Sequence, residues 1–528
     1  MNLNHTQARH SWFPRFRSSG RRWVSGGAMV ALLACGACSL LLDRTSTQCQ
    51  TDGDCAQFGG HPYCQANVCV ASGLVPADCF SGTPQQPSDF LNQCSQAQCL
   101  AFDDCARLKL CGAASDADGG LVSPPDAGGS SSSSTASDGG GAMPSCMDPT
   151  DGRAQIVVIT GSSNFPPTLS KLTPLILATG YTPVYQVTNS CNGVKVVFDS
   201  NPANHVIVDP TPSPSAKYAA YFKPDGSSVP CLLGEGGATV DIGESDVFSS
   251  TCSASDVPGD AVGEYLGPIQ AMAFVVPGKS QEVAISAAAA RAVFGMGGNN
   301  GAVTPWTNPS LYFVRNANTG TQQMIGHAIG VPANTFWGID RGTATNVDSL
   351  LRVITDPVLA EQAIGIISVD YYDDDRSNLK ALAFKAEGQE CAYLPDSTEF
   401  KKDKQNVRDG HYPIWGPLHF FASVSNGTPV SPAAQAFVSV MSVPNLPKTL
   451  LDAFIGASLV PACAMRVTRA AELGPLSAYS APFQCGCYFD ASPNVNGSAP
   501  PGCTPCETAN DCTNPARPAC NLGYCEIQ

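Results

Sequence analysis

The chain has 528 residues, 43% of them hydrophobic and only 14% charged. That balance allows two or three domains with well-buried cores and excludes a single small module. A formal net charge of −15 and an isoelectric point near 4.8 argue against nucleic acid as a partner and against a polybasic membrane patch. Charges farther apart than about 8 Å are screened at physiological salt, so an anionic ligand gripped by local donors stays compatible.

Residues 1–38 predict an export signal. Arg15, Arg17, Arg21 and Arg22 form its basic head, and Trp23 to Leu33 is an apolar run too short to span a bilayer. It ends in Leu32-Leu33-Ala34-Cys35, which resembles a bacterial lipobox, where the cysteine becomes the lipidated first residue of the mature chain. Cys38 offers a second, poorer match, although it alone leaves an even number of other cysteines in the mature chain. By that resemblance the protein is exported and lipid-anchored through Cys35, with Gly36 pointing to the outer membrane or cell surface of a Gram-negative bacterium. The alternative is a cleaved signal without lipid. Twenty-four cysteines in an oxidising compartment predict disulfides.

Residues 39–112 read as a cysteine-rich module. Cys49 to Cys69 has the spacing C-x5-C-x8-C-x4-C, and Cys506 to Cys525 in the C-terminal module, residues 481–528, has C-x5-C-x7-C-x4-C. An acidic residue, Asp54 or Asp511, precedes the second cysteine each time. These are one small unit occurring twice, too poor in apolar residues to hold a core without cross-links, and two internal bridges each is one pairing among several. This layout resembles the ends of myxobacterial surface proteins. Cys503-x-x-Cys506 and Cys485-x-Cys487 admit a zinc reading, but no histidine stands at ligand spacing, so no metal is expected. Cys94 to Cys111 suggests a short cross-linked helix. Residues 113–150, with five serines at Ser130 to Ser134, read as a flexible Ser/Gly/Asp/Pro tether holding the next domain clear of the membrane.

The main domain, residues 151–480, alternates strand, loop and helix. Gln155 to Thr160 is a strand, Gly161 to Asn164 a tight loop, and Phe165 to Thr179 a helix entered through Pro166-Pro167. Tyr181 to Val187 is a strand leading into Asn189 and Ser190. Residues 199–230, proline-rich, read as an excursion. Further strands are expected at Thr239 to Gly243, Gln270 to Val276, Leu311 to Val314 and Ala363 to Asp370, with helices at Ser286 to Phe294, Ser431 to Ser442 and Lys448 to Leu459. This argues for an α/β fold with a parallel sheet. Asp373-Asp374-Asp375 lacks the alternation of a calcium loop and reads as a solvated turn.

Several loops follow the carboxyl ends of strands, where open α/β sheets bind ligands. Arg315 stands at such an end, followed by Thr319-Gly320-Thr321 and a helix start whose free amides suit an anion. Taken in order, Thr160-Gly-Ser-Ser-Asn-Phe-Pro166, Asn189-Ser-Cys-Asn-Gly-Val-Lys195, Asp241-Ile-Gly-Glu-Ser-Asp246 and Arg315 with Thr319-Gly320-Thr321 resemble the ligand loops of phosphate-binding periplasmic solute-binding proteins, type II. Gly365 to Tyr371 and Tyr412 to Ile414 are similar to segments that follow in that family. The resemblance spans Arg153 to Ala470. It implies a two-lobed fold that binds inorganic phosphate or a similar oxyanion through Ser163, Asn164, Phe165, Ser190, Asp246, Arg315, Thr319, Gly320 and Thr321, and that serves an ABC importer or senses or stores the ion. Asp246 facing an anion makes sense if the ligand carries a proton, which hydrogen phosphate does and sulfate does not.

Several residues depart from that pattern. Thr319 replaces serine, Cys191, Cys231, Cys252 and Cys391 are extra, and the 199–230 insertion stands between two ligand loops, where it could cover or disable the cleft. The alternative is therefore a surface interaction protein whose degenerate solute-binding fold keeps an idle cleft. The sequence has no Gly-x-Ser-x-Gly elbow, His-Glu-x-x-His or Cys-x-x-Cys-His motif, and neither catalysis nor a cofactor is expected.

Overall fold

The computed structural model describes residues 79–110, 143–148, 155–213, 215–298, 303–441 and 446–527, with the backbone of 63–65 and 68–70. The signal segment with Cys35, the first half of the N-terminal cysteine unit and residues 111–142 lie outside the described residues.

Gln155–Gly161 (β1) is buried along its length after the first two residues, as a strand covered by helices on both faces requires. The helix Phe165–Leu177 (α1) carries prolines in its first turn, where no amide hydrogen is needed. Leu169, Leu172, Thr173 and Ile176 make its buried stripe. Tyr181–Val187 (β2) pairs parallel to β1 from Gln155↔Tyr181 to Gly161↔Val187, and Ser190–Phe198 (α2) follows. Residues 199–230 do not plug a cleft. They supply a hairpin, Ala219–Phe222 (β3) and Ser228–Cys231 (β4), that adds to the outer edge of β2. Ile242–Ser245 (β5) completes this lobe beside β1.

Val262–Pro277 (β6) and Trp415–Ser425 (β11) are the two long strands that join the lobes. Val262 to Ala271 of β6 pair with β11, with a register shift between Leu266 and Ile269. Met272 to Val275 pair with Ile364–Ser368 (β9), and Val275 to Pro277 with Leu379–Ala381 (β10). Tyr312–Val314 (β7), parallel to β9 and to Ile339–Asp340 (β8), leads to the helix Gly320–Ile329 (α3). The helix Val369–Asp374 (α4) follows β9 directly. The main sheet is mixed and runs in the order β8-β7-β9-β6-β11-β5-β1-β2-β3-β4, with β10 paired to β6 off this path. The expected parallel sheet holds within each lobe, and the antiparallel pairs come from the crossing strands and the hairpin.

Each lobe has its own core. In the first, Phe165 sits 5.6 Å from Tyr185 and 5.4 Å from Phe420, whose ring meets Phe437 at 5.1 Å. Phe437 belongs to Pro432–Met441 (α5), which with Lys448–Gly456 (α6) packs on α1. In the second, Phe274 stacks between Phe294 and Phe384, at 5.7 Å from each. These rings dominate the buried apolar area. The architecture is α/β and two-lobed, the type II periplasmic-binding-protein layout expected from the sequence.

The cysteines alter the expected division of the chain. Residues 79–110 are not a free-standing module: Cys99 is bonded to Cys391, Phe90 and Phe102 enter the second-lobe core, and Arg107 pairs with Glu282 at 2.6 Å. Residues 143–148, the end of the expected tether, belong to the first lobe through Cys146–Cys231 and the Ser145↔Leu232 bridge. The low-complexity stretch thus connects two points already on the main domain and does not set its distance from the N-terminus. Cys191–Cys252 fastens the start of α2, and Cys79–Cys94 and Cys463–Cys485 close local loops. The C-terminal unit holds two internal bridges, Cys506–Cys520 and Cys512–Cys525. Cys503 instead joins Cys487, which splits the Cys-x-x-Cys pair between two bridges. The sulfurs of Cys506, Cys512 and Cys525 lie within 4.8 Å of one another, but all three are in disulfides and so are not thiolate ligands. The backbone supports the repeat: Cys64↔Cys69 and Cys520↔Cys525 take equivalent places in two short hairpins.

Asp373 is not in a solvated turn. It ends α4 buried against Lys404 at 2.7 Å and Arg376 at 2.5 Å, and Asp396 shares both cations. No described helix is long and apolar enough to cross a membrane.

Candidate functional site

The loops after β1, β2, β5 and β7 meet where the two lobes face each other. A Cβ at Gly161 would lie 2.1 Å from the Glu244 carbonyl oxygen, so only glycine lets the first loop turn there. Ser162 then donates to Asp246 Oδ2 at 2.6 Å, and Asn164 Nδ2 donates to the same oxygen at 2.9 Å and to Thr321 Oγ1 at 3.1 Å. Asn189 delivers α2 from a φ of 102°, its side chain capping the Asn192 amide. Such a conformation in a non-glycine residue is costly and is typical of functional sites. Ser190 follows, its Oγ 3.3 Å from Asp246 Oδ2 and accepting from the Gly320 amide at 3.0 Å.

From the second lobe comes Arg315, only 1% exposed. Its Nη2 donates to Ser163 Oγ at 2.7 Å and its Nε to the Gly342 carbonyl at 2.9 Å. Nη1 is buried without a partner, as are Asp246 Oδ1 and Asn164 Oδ1. No described carboxylate lies within ion-pair distance of the guanidinium. Burial pulls its pKa down to about 10 and pushes the Asp246 carboxyl up, opposed by the Ser162 hydrogen bond and the Arg315 charge.

Of the expected residues, Ser163, Asn164, Ser190, Asp246, Arg315, Gly320 and Thr321 converge here. A Cβ on Gly320 would come within 2.5 Å of Asp246 Cβ. Phe165 is fully buried in the first-lobe core, where its ring packs against Tyr185 and Phe420. Thr319 Oγ1 donates to the Asn316 carbonyl at 2.7 Å, closing its own turn. Sequence reading missed four nearby groups. Ser162, rather than Ser163, binds Asp246. Tyr371 Oη reaches the Ser163 carbonyl at 3.4 Å. Glu244, wholly buried, accepts from the Ser162 amide at 2.7 Å and Tyr185 Oη at 2.9 Å, and burial and the Asp246 charge hold its carboxyl well above the usual range. Asp370, at the start of α4, accepts from Gln270 Nε2 at 3.3 Å, and its charge acts on Arg315. A glutamate or tyrosine close to a ligand-like motif was the available signal, but neither residue type in an apolar run reveals which side it faces. The lobes are drawn together by Arg315–Ser163, Gly320–Ser190, Asn164–Thr321 and the Cys191 amide to the Asn318 carbonyl at 3.1 Å.

A buried cation with no described carboxylate in ion-pair distance, amides at the start of a helix and neutral donors are the chemistry that suits a small oxyanion. No family model and no curated protein matches this sequence. Solved two-lobed binding proteins align with it. A substrate-binding protein assigned to a phosphate ABC transporter of Clostridium perfringens, with bound phosphate, is 14% identical over 58% of this chain and 99% of its own, with a TM-score of 0.38. An ABC-type phosphate transport receptor from Vibrio cholerae is 13% identical over 58% of this chain and 100% of its own, TM-score 0.37. A phosphate-binding protein from Stenotrophomonas maltophilia is 16% identical over 58% and 90%, TM-score 0.34.

Proposed function

We propose that this chain is an exported, lipid-anchored binding protein, not an enzyme, that closes two lobes on a small oxyanion, phosphate foremost. The observation that carries the reading is Arg315: a guanidinium buried to 1%, with no described carboxylate within ion-pair distance and with Nη1 lacking a partner. A buried cation is costly until an anion compensates it. Ser163, Asn164, Ser190, Gly320 and Thr321 supply neutral donors, and Asp246 accepts the proton that distinguishes hydrogen phosphate from sulfate. Cys35 carries the lipid, and delivery to an ABC importer is one use of the captured ion.

Calorimetric titration of the chain from residue 39 onward tests this. Heat with phosphate and none with sulfate is the expected outcome, with a Kd on the order of micromolar, about 8 kcal/mol. Absence of heat with either ion overturns it. A second reading, an idle cleft on a surface interaction protein, is favoured by the contacts already present: Asp246 Oδ2 has three side-chain partners and Arg315 two acceptors. Phosphate binding lost on Arg315→Ala counts against that second reading.

A further inference from the structure

The floor of the cleft, where β6 passes from one lobe to the other, carries polar groups that the oxyanion reading leaves unused. Gln270 is 2% exposed and stands opposite Gly416 of β11. A Cβ at Gly416 would lie 3.6 Å from the Asp246 backbone carbonyl oxygen, so this part of β6 is one strand removed from the end of β5, and Tyr371, next to Asp370 on α4, reaches the Ser163 carbonyl at 3.4 Å. Its Nε2 donates to Asp370 Oδ1 at 3.3 Å, and its Oε1 is buried without a partner. Asp370, 7% exposed at the start of α4, feels the charges of Asp246 and Asp373, and its charge in turn acts on Arg315.

The hydrogen-bonding demand of the site is therefore lopsided. Among the unpartnered buried side-chain atoms of the residues around the site, Arg315 Nη1 is a donor, Asp246 Oδ1, Asn164 Oδ1, Gln270 Oε1 and Glu244 Oε1 are placed as acceptors, and Ser368 Oγ, at the start of α4, can act as either, with the Asp370 carboxyl beside them. A ligand that only accepts hydrogen bonds would satisfy the guanidinium and leave the rest unpaired, and two carboxylates would oppose its charge. Amide orientation can exchange donor for acceptor at Asn164 and Gln270, whereas Asp246 and Asp370 accept on both oxygens once ionised, which for Asp370 means above about pH 7.

Building on the oxyanion reading, we propose that the ligand is an oxyanion bringing more than one hydrogen-bond donor, and that Asp370, supported by Gln270, is the residue that selects for the second donor. That donor is either a second acid proton, as in the dihydrogen form of phosphate, or an ammonium group on a small organic phosphate or phosphonate. Asp246 takes the first donor, Asp370 the second, and Arg315 the anionic oxygens.

The test compares affinities of the wild type, Asp370→Asn and Gln270→Met for inorganic phosphate, methyl phosphate, 2-aminoethylphosphonate and sulfate at one pH, with thermal melts verifying folding. Wild type is expected to bind phosphate or 2-aminoethylphosphonate at least about tenfold more tightly than methyl phosphate, as one hydrogen bond to a charged group implies. The tighter of the two identifies the donor's source. Asp370→Asn should weaken the donor-bearing ligands about tenfold while strengthening sulfate, an inversion that a merely structural role would not produce. Gln270→Met should weaken the donor-bearing ligands in the same direction. Phosphate binding that depends on Arg315, with ligand ratios unchanged in both folded variants, overturns this inference alone. Failure of every oxyanion to bind the wild type overturns the underlying reading.

Discussion

Replacing Arg315 with methionine separates a ligand group from a structural one. In the unliganded protein the guanidinium is both a cost and a support. Burial lowers its pKa to about 10, which corresponds to roughly 3 kcal/mol against the charged form. Its hydrogen bonds to Ser163 and Gly342 return about 1 kcal/mol each, and methionine fills much of the vacated space without a charge to desolvate. The two effects nearly offset, so the melting temperature of Arg315→Met should stay within a few degrees of wild type or rise. Binding has no such compensation. Losing paired, charge-assisted contacts of about 1.5–3 kcal/mol each, and leaving Asp246 and Asp370 facing an anion unopposed, should weaken phosphate by about a hundredfold or more. Calorimetry and thermal denaturation on the same preparation measure both. A melting temperature that collapses while affinity per folded molecule survives would refute the reasoning and make Arg315 a structural residue.

Gly320→Ala should also weaken phosphate more than about tenfold, because its Cβ would meet Asp246 Oδ2 and Ser190 Oγ at 2.8 Å and push the lobes apart at a cost of about 1–3 kcal/mol; titration and melting check it. Asp373→Ala should destabilise the protein by about 3–5 kcal/mol, since Lys404, 3% exposed, loses a partner at 2.7 Å, whereas Asp452→Ala at the exposed Lys448 pair should change little; urea denaturation distinguishes them. Stability of the unliganded chain should fall as pH rises from about 4 to 7. The Asp370 carboxyl is raised by burial to about 7, so the folded state holds more protons than the unfolded state in that window and loses the advantage as the group ionises. A melting temperature that climbs from pH 5 to pH 8 would contradict it.

Much of this arrangement was legible in the chain because the cues are local. An apolar run closed by Gly161 and reopened by Pro166-Pro167, or closed by Arg315 and reopened at Thr319, marks strand, loop and helix start without reference to anything distant. That such loops meet at one edge follows from α/β topology. What could not be read was side-chain facing and distant pairing. Nothing in Ser162-Ser163 says which hydroxyl turns to Asp246 and which to Arg315. Asp370 looked like the polar end of a strand and is the second residue of a helix on the cleft. Asp373 seemed solvated because its cation, Lys404, arrives from another segment. The insertion's proline content suggested an irregular excursion, but alternate residues around Tyr221 and Val229 form a hairpin that continues an existing sheet. Cysteine partners such as Cys99 and Cys391 lie 292 residues apart, beyond any spacing rule.

The bond between Cys99 and Cys391 joins parts of the chain that lie on either side of the low-complexity stretch. A cut between residues 111 and 142 would leave the leading fragment covalently fastened to the body of the molecule. Under oxidising conditions the cut protein would run as one species on a non-reducing gel. Splitting it in two would take reduction and denaturation together, because Phe90 and Phe102 hold the leading fragment in the core and Arg107 pairs with Glu282.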